Sequence, residues 1–428
     1  MLNDTIVALS SGRPPAAIAV IRSSGPGAHE AARRLGGALP PPRQATLRTL
    51  RHPATGIALD TALILRFNAA HSATGEDVVE YQCHGGRAVV AALLDALTSI
   101  AGLRLAQPGE FTRRALANGR IDLTEAEGLA DLLEAETEQQ RRAALALAGG
   151  ALSRQVEAWQ ARVLALSASA EAAIDYVGDE DETATDTTAL RAAAGALAAN
   201  LQEWLARPRA EPLKDGIRVV VAGPPNAGKS SLVNCLAGSD RAIVTDVPGT
   251  TRDSIEVPLS IDGLPLILVD TAGLRETADP VEAIGVARAR RESERAEIIL
   301  WMGDVAAAPV HPHLIPLLGK ADLIANLVPG GPTQLRVSAR TGEGIPALFD
   351  RIRREAATLL PAEGQVPLNA RQAHAIAEAA AELAGIPDDL LLVAEHLRAA
   401  RTAFDRLTGR AGIEEALDAV FGRFCLGK

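Results

Sequence analysis

Eight consecutive residues, Gly223-Pro224-Pro225-Asn226-Ala227-Gly228-Lys229-Ser230, carry two glycines and a lysine–hydroxyl pair at the spacing of a phosphate-binding loop. The glycines let backbone N–H groups turn towards phosphate oxygens at the positive end of a following helix. Lys229 is then placed to reach the β- and γ-phosphates as a compact point charge, and Ser230 to hold Mg²⁺. A Gly-rich turn of a Rossmann-like fold is the competing reading. An apolar strand pattern before the loop, Ile217–Val221, and a helical one after it, Ser230–Ala237, favour the phosphate loop.

Three further segments bear on the base and the switch. Gly249-Thr250-Thr251-Arg252-Asp253 offers a hydroxyl, Thr251, that can reach Mg²⁺ once a γ-phosphate is present. Asp270-Thr271-Ala272-Gly273 follows an apolar run, which puts a carboxylate behind the metal and the Gly273 N–H near the γ-phosphate. Lys320-Ala321-Asp322 can hold guanine, because an ionised carboxylate accepts from both N1 and N2, and Ser338-Ala339 backs the base. With the neighbouring Asn226, Ala227, Gly228 and Ser231 and the loop Thr245-Asp246-Val247-Pro248-Gly249-Thr250, these form the expected GTP-contacting set. The set resembles the translation-factor-related GTPases. Their base motif reads Asn-Lys-x-Asp, whereas Gly319 stands here where Asn is expected. Its loss should remove a contact to the base and a tether to the phosphate loop, weakening nucleotide binding while Asp322 keeps the guanine preference.

The elements that must position these residues form an α/β unit. Ile255–Ile261 and Leu264–Val269 flank Asp262-Gly263, a hairpin signature. Ile298–Met302 and Leu335–Val337 read as further strands and Ile345–Leu360 as a closing helix, the grammar of a doubly wound sheet. Ahead of it, residues 1–119 read as a mixed α/β unit. Its strands are Thr5–Leu9, Ala16–Ile21, Ala62–Phe67 and Val78–Cys83, and its helices Ala28–Leu35 and Arg87–Ile100. Thr124–Tyr176 has no Pro and a helical pattern, with Thr124-x-x-Glu127 as a capping box and a break at Gly149-Gly150. The acidic run Gly178–Glu182 reads as a loop, Leu190–Leu205 as a helix and Arg207–Pro212 as a linker. Residues 369–428 are again Ala-rich and helical. The expected organisation is therefore an α/β domain over 1–119, a helical domain split into 120–214 and 357–428, and a third α/β domain inserted at 215–356.

Composition narrows the function classes. The 428 residues fit two or three domains, and 47% hydrophobic against 22% charged is the balance of a soluble globular chain. A net charge of −10 excludes coating nucleic acid by bulk charge, and eleven aromatics (six Phe, three Trp, two Tyr) are too few for a surface of base-stacking platforms. Three Cys cannot make a disulfide framework, which points to a reducing, intracellular compartment; the first residues lack the pattern of a signal peptide, and no apolar run has membrane-spanning length. Cys and His show no zinc-ligand spacing. Of the 43 Lys and Arg only four are Lys: Lys214, Lys229, Lys320 and Lys428. Two of them fall in the nucleotide motifs, where a slim ammonium fits and a guanidinium does not.

The flanking regions carry more specific strings. Thr74-Gly75-Glu76-Asp77-Val78-Val79-Glu80, Cys83-His84-Gly85-Gly86, Pro108-Gly109-Glu110-Phe111-Thr112-Arg113-Arg114-Ala115, Asn118-Gly119-Arg120-Ile121-Asp122-Leu123 and the terminal Cys425-Leu426-Gly427-Lys428 occur in that order. Over its whole length the chain closely resembles the tRNA-modification GTPases of the MnmE (TrmE) family. The resemblance implies an N-terminal domain that dimerises and binds a tetrahydrofolate (5-formyl or 5,10-methylene), an all-α helical domain and a Ras-like G domain inserted within it. The family's folate contacts map onto Arg22, Glu80, Arg120 and Lys428; the family commonly has Lys at position 120, so Arg120 keeps the charge but changes reach. By residue type alone, Arg22 and Glu80 read as surface charges at strand ends.

The resemblance further implies a K⁺-stimulated GTPase, with Asn226, Thr245, Val247 and Thr250 as K⁺ ligands. Its flavoprotein partner, MnmG (GidA), carries FAD, and the two form a heterotetramer that adds an aminomethyl-type group to C5 of the wobble uridine of certain tRNAs in the cytoplasm. Glu282 matches the family's catalytic Glu, which orients the attacking water; without the resemblance it is a Glu at a helix start, favourable to the helix dipole. The resemblance makes Cys425 a candidate for the modification chemistry or for lining the folate site. The competing class is a ribosome-assembly switch without modification chemistry. Such proteins usually carry an RNA-binding appendage, and residues 369–428 are helical and not strongly basic.

Overall fold

The computed structural model describes residues 4–175, 187–239, 242–244, 255–270, 292, 294–323, 334–362, 364–411, 420–422, 424 and 427. These fall into two compact units, one of residues 1–130, 148–157 and 405–428, the other of 131–147 and 158–404.

In the first unit a six-stranded sheet has the order β3-β4-β5-β2-β1-β6. The strands are β1 (Thr5–Leu9), β2 (Ile18–Ser24), β3 (Thr46–Arg51), β4 (Ala58–Phe67), β5 (Val78–His84) and β6 (Leu103–Leu105). Only the β1–β6 pairing is parallel. Alternation sets the core: Val79, Tyr81 and Cys83 of β5 are buried while Glu80 and Gln82 turn to the other face. Helix α1 (Ala28–Gly36) buries Ala28, Ala31, Ala32 and Leu35, and α2 (Arg87–Thr98) buries Val90, Leu93, Ala96 and Leu97. The sequence reading missed β3 and β6, one an exposed edge rich in Arg and Thr, the other three residues long.

Two short helices follow, α3 (Glu110–Ala117) and α4 (Leu123–Glu134). The cap of α4 differs from expectation. Asp122 Oδ1 accepts from Glu125 N at 2.9 Å while Glu125 Oε2 accepts from Asp122 N at 2.8 Å, so the capping box is Asp122–Glu125 and not Thr124–Glu127. Thr124 is already inside the helix, with its hydroxyl on Asp122.

Helix α5 (Glu138–Ala148) begins at a break that the continuous helical pattern hid, although Thr137-x-x-Gln140 has the form of a capping box. Gln140 N donates to Thr137 Oγ1, and Gln140 Oε1 accepts from Thr137 N at 2.8 Å. Helix α6 (Ala151–Asp175) and α7 (Thr187–Leu205) follow, and the acidic run 178–182 lies outside the described residues. Trp159 is fully buried between Trp204 and Phe404, ring centroids 5.3 and 5.8 Å away, and its indole N–H donates to Asn200. Tyr81, Phe349, Phe421 and Phe424 are likewise buried.

The segment expected as a linker is tied down. Arg209 bridges Leu368, Ala210 N donates to Leu368 O at 3.0 Å, and α8 (Glu211–Asp215) starts at once. The chain therefore enters and leaves the second sheet side by side. Gln140 Nε2 donates to the Leu213 and Lys214 carbonyls, and Lys214 pairs with Asp131 at 3.1 Å. The one lysine without a nucleotide or folate assignment thus holds the root of the inserted sheet.

That sheet has seven strands in the order β13-β12-β11-β7-β10-β9-β8. They are β7 (Ile217–Ala222), β8 (Ala242–Val244), β9 (Ile255–Ile261), β10 (Leu264–Asp270), β11 (Ile298–Trp301), β12 (Leu314–Leu318) and β13 (Leu335–Arg336). Strands β10, β7, β11, β12 and β13 are parallel. Helix α9 (Lys229–Ala237) and α10 (Ile345–Leu359) pack on the sheet, and α11 (Ala370–Ala384) and α12 (Leu390–Thr408) continue the helical part. Strand β12 was not read from the sequence because Pro316 interrupts its apolar run. Residues 302–313 link β11 to β12 with only a single 3₁₀ turn at Val305–Ala307, where parallel strands are usually joined through a helix. No helix among the described residues is long and apolar enough to cross a membrane.

Candidate functional site

The carboxyl ends of β7, β10, β12 and β13 lie at the same edge of the parallel sheet, where open α/β sheets bind ligands. The loop after β7 turns through Gly223 at φ +147°, where a Cβ would lie 2.6 Å from the Met302 carbonyl oxygen. Asn226 (φ 61°) and Gly228 (φ 97°) are also left-handed, and α9 starts at Lys229, so the first-turn N–H groups of Lys229, Ser230 and Ser231 face the loop mouth. Lys229 is buried, and its ammonium donates to Gly223 O and Pro224 O, both at 2.9 Å. Asp270 ends β10 opposite Val221 of β7, buried to 3% exposure beside the phosphate loop.

A cavity of ≈ 280 Å³ opens between Gly228 and Ser231 on one side and Lys320, Asp322, Ser338 and Ala339 on the other. Asp322 Oδ1 accepts from Ser338 Oγ at 2.7 Å and Oδ2 from Arg340 Nε at 2.8 Å. The Ser338 hydroxyl first, and then Arg340, hold the Asp322 carboxyl below its ordinary range, so it is ionised at neutral pH as guanine recognition requires. Sequence reasoning missed Arg340, which directly follows the Ser338-Ala339 backstop, and Met302, for which no local signal exists. The expected loss of a tether at Gly319 is offset: Lys320 Nζ donates to Asn226 O at 2.8 Å, joining the base loop to the phosphate loop.

Thus Asn226, Ala227, Gly228, Lys229, Ser230, Ser231, Asp270, Lys320, Asp322, Ser338 and Ala339 border one site. Thr245, Asp246, Val247, Pro248, Gly249, Thr250, Thr251, Thr271, Ala272, Gly273, Glu282, Cys425 and Lys428 lie outside the described residues.

A second group of predicted residues meets in the first unit. Arg22 and Glu80 are cross-strand partners on β2 and β5, with Arg22 Nε and Nη2 donating to Glu80 Oε1 at 3.0 and 2.7 Å. The guanidinium also lies 5.8 Å from the Phe111 ring centre, a neighbour the sequence did not announce. Arg120 is exposed, and its stem covers Gly75, where a Cβ would sit 3.1 Å from Arg120 Cγ. Gly427 comes to the same sheet: it abuts Leu9, and its carbonyl accepts from Ser10 Oγ at 2.9 Å. Beneath lies fully buried Arg114, which donates to Asp4, Glu76 and Glu110, while Ser24 Oγ donates to Glu76 at 2.7 Å. The strings around Glu76 and Arg114 therefore build a charge network that fixes β2, the strand carrying Arg22.

Two cysteines are unsuited to chemistry. Burial, and then the Asp60 carboxylate, push the Cys83 thiol up to about 11, and burial raises Cys235. Neither should react with Ellman's reagent in the native protein at neutral pH, and both should react after denaturation. Native labelling that disappears in Cys83→Ala or Cys235→Ala would overturn this.

Residues 123–425 match the MnmE helical domain, and residues 5–120 match the GTP-binding protein TrmE N-terminus. A tRNA modification GTPase MnmE of Erythrobacter litoralis is 53% identical over 99% of this chain and 100% of its own length. That of Novosphingobium aromaticivorans is 50% identical over 100% of both chains, and that of Rhizorhabdus wittichii 52% identical over 100% of this chain and 97% of its own.

Proposed function

Since the chain belongs to the MnmE family of tRNA modification GTPases, we propose that its GTP hydrolysis is K⁺-stimulated and drives attachment of an aminomethyl-type group to C5 of the wobble uridine. The protein is a GTPase of tRNA modification. The observation that supports the nucleotide part of this reading is the convergence of the phosphate loop, Asp270, Lys320, Asp322 and Ser338 at one sheet edge, and the K⁺ and wobble-uridine parts rest on the family.

Within this site the loop N–H groups and Lys229 bind the β- and γ-phosphates, and Asp322 selects guanine through N1 and N2. The Ser230 hydroxyl in the first turn of α9 would hold Mg²⁺, with the buried Asp270 carboxylate behind it and Thr251 as the switch ligand, and hard oxygen donors of this kind suit that ion. Asn226 would hold K⁺ together with Thr245, Val247 and Thr250. Bound cations supply positive charge where negative charge builds between the β- and γ-phosphates. Gly273 N–H steadies the γ-phosphate, and Glu282 orients the attacking water. Glu282→Ala should leave GTP binding intact and slow hydrolysis by about a hundredfold. Unchanged turnover at saturating K⁺ would refute the assignment.

In the first unit the Arg22–Glu80 pair beside Phe111 offers a donor, an acceptor and an apolar edge, which fits a folate; Arg120 and Lys428 complete the set. A tetrahydrofolate bound there supplies the one-carbon unit. Cys425 is proposed to serve the same chemistry. The domain plan that fits is 1–119, 120–214 with 357–428, and the insertion 215–356, supported by the side-by-side entry and exit at Arg209 and Leu368. We further place the protein in the cytoplasm as a homodimer working with the flavoprotein MnmG. With a net charge of −10 on this chain, much of the charge that meets tRNA comes from that partner. Mass analysis of tRNA wobble nucleosides from cells lacking the protein tests the reading. Unmodified uridine is expected, and normal modification with immature ribosomal subunits would overturn it.

A further inference from the structure

Gly319 departs from the base motif, and the structure shows what stands in the vacated space. A Cβ at Gly319 would lie 2.6 Å from Met302 Cε and 3.1 Å from the Ala227 carbonyl oxygen. The first separation is shorter than carbon atoms tolerate, so a side chain at 319 and the Met302 methyl cannot both keep their places. Met302 directly follows β11 and is 6% exposed, packed in the core of the inserted sheet yet also lining the base cavity. Its N–H donates to Ala222 O at 2.8 Å, and its carbonyl sits where a Gly223 Cβ would be. Its methyl reaches within 3.8 Å of the Cβ position of Gly228. One residue therefore touches both ends of the phosphate loop and the base loop.

We propose that Met302 is a positioning residue that sets nucleotide affinity at the guanine site. Its thioether occupies the volume an Asn side chain would fill at 319, and with the Lys320–Asn226 link it braces the phosphate loop against the base loop. A flexible, unbranched side chain suits such an irregular gap. The inference rests on the guanine-nucleotide reading of the site. It follows that restoring Asn at 319 alone does not restore the family's pocket. Met302 belongs to the core of the inserted sheet and lines the base cavity, so a methyl displaced from Gly319 is expected to intrude on that cavity, while the new side chain presses on the Ala227 carbonyl.

The test is titration of the full chain with a fluorescent N-methylanthraniloyl GDP, in wild type, Met302→Ala, Gly319→Asn and the double variant. Each single change should weaken binding by about tenfold, and the double variant should bind at least as tightly as wild type, a coupling of about a hundredfold. A Gly319→Asn single variant that binds more tightly than wild type, or two effects that simply multiply, would overturn the proposal. Met302→Leu, which keeps most of the core volume, replaces Met302→Ala in the same cycle should the latter fail to fold. Chasing the probe with GDP and ADP separates the two levels of inference. Equal displacement by both would undo the guanine reading itself, whereas guanine-selective displacement without coupling defeats only the role of Met302.

Discussion

Lys229→Ala is expected to lower kcat/KM for GTP hydrolysis by about a thousandfold or more, with the fold intact by thermal melting. Lys229 is the first residue of α9, and its buried ammonium lies against the carbonyls of Gly223 and Pro224. Removing it leaves two carbonyl dipoles at the loop mouth without the cation that balances them, facing the phosphates whose charge must be stabilised during transfer. Lys229→Arg should recover less than about a tenth of the lost activity, because a planar guanidinium cannot occupy the space of an ammonium held by two carbonyls. This chain uses Arg for nearly all its positive charge yet keeps Lys here. Full activity of Lys229→Arg would contradict both the steric argument and the reading of the sparse lysines.

The largest stability effect is expected at Arg114. Its guanidinium is 1% exposed and meets Asp4, Glu76 and Glu110. Arg114→Met should destabilise the first unit by about 3 kcal/mol, since breaking a buried ion network from one side leaves Glu76 without its guanidinium partner and Asp4 and Glu110 with Arg104 alone. Urea unfolding measures it, and a loss below about 1 kcal/mol would show the network to be solvated in practice. The pH dependence has a definite sign. Burial raises the Glu110 carboxyl, but Arg104, the Gln107 N–H and Arg114 together outweigh it, and Asp4 is likewise depressed by Arg104 and Arg114. The stability these carboxylates contribute is therefore present above the ordinary carboxyl range and lost as pH falls through their lowered folded values. The gap between wild type and Arg114→Met should narrow on acidification below about pH 4.

Legibility followed the range of the interactions. The hairpin at Asp262-Gly263, the strand before the phosphate loop and the helix after it were readable because turn chemistry and apolar periodicity are local. The cap of α4 was misplaced by two residues because Asp122 and Thr124 both offer a capping oxygen, and only the backbone path decides which is used. The start of α5 rests on the local Thr137–Gln140 pair, a pattern the reading passed over inside a continuous helical run, whereas the tied-down segment at Arg209 depends on Leu368, a partner far along the chain.

By itself, the sequence determined the chemistry carried by contiguous strings. Consecutive N–H groups with an adjacent lysine suit a phosphate, and a carboxylate two residues from a lysine suits guanine, so Gly223–Ser230 and Lys320–Asp322, read in order and with the strand and helix patterns around them, pointed to these ligands. Tertiary structure alone decided that Arg22 faces Glu80, that Gly427 abuts Leu9, that Arg340 engages Asp322, and that Met302 fills the space beside Gly319. Strand register and loop packing set those pairings, and they join residues whose separation along the chain carries no signal.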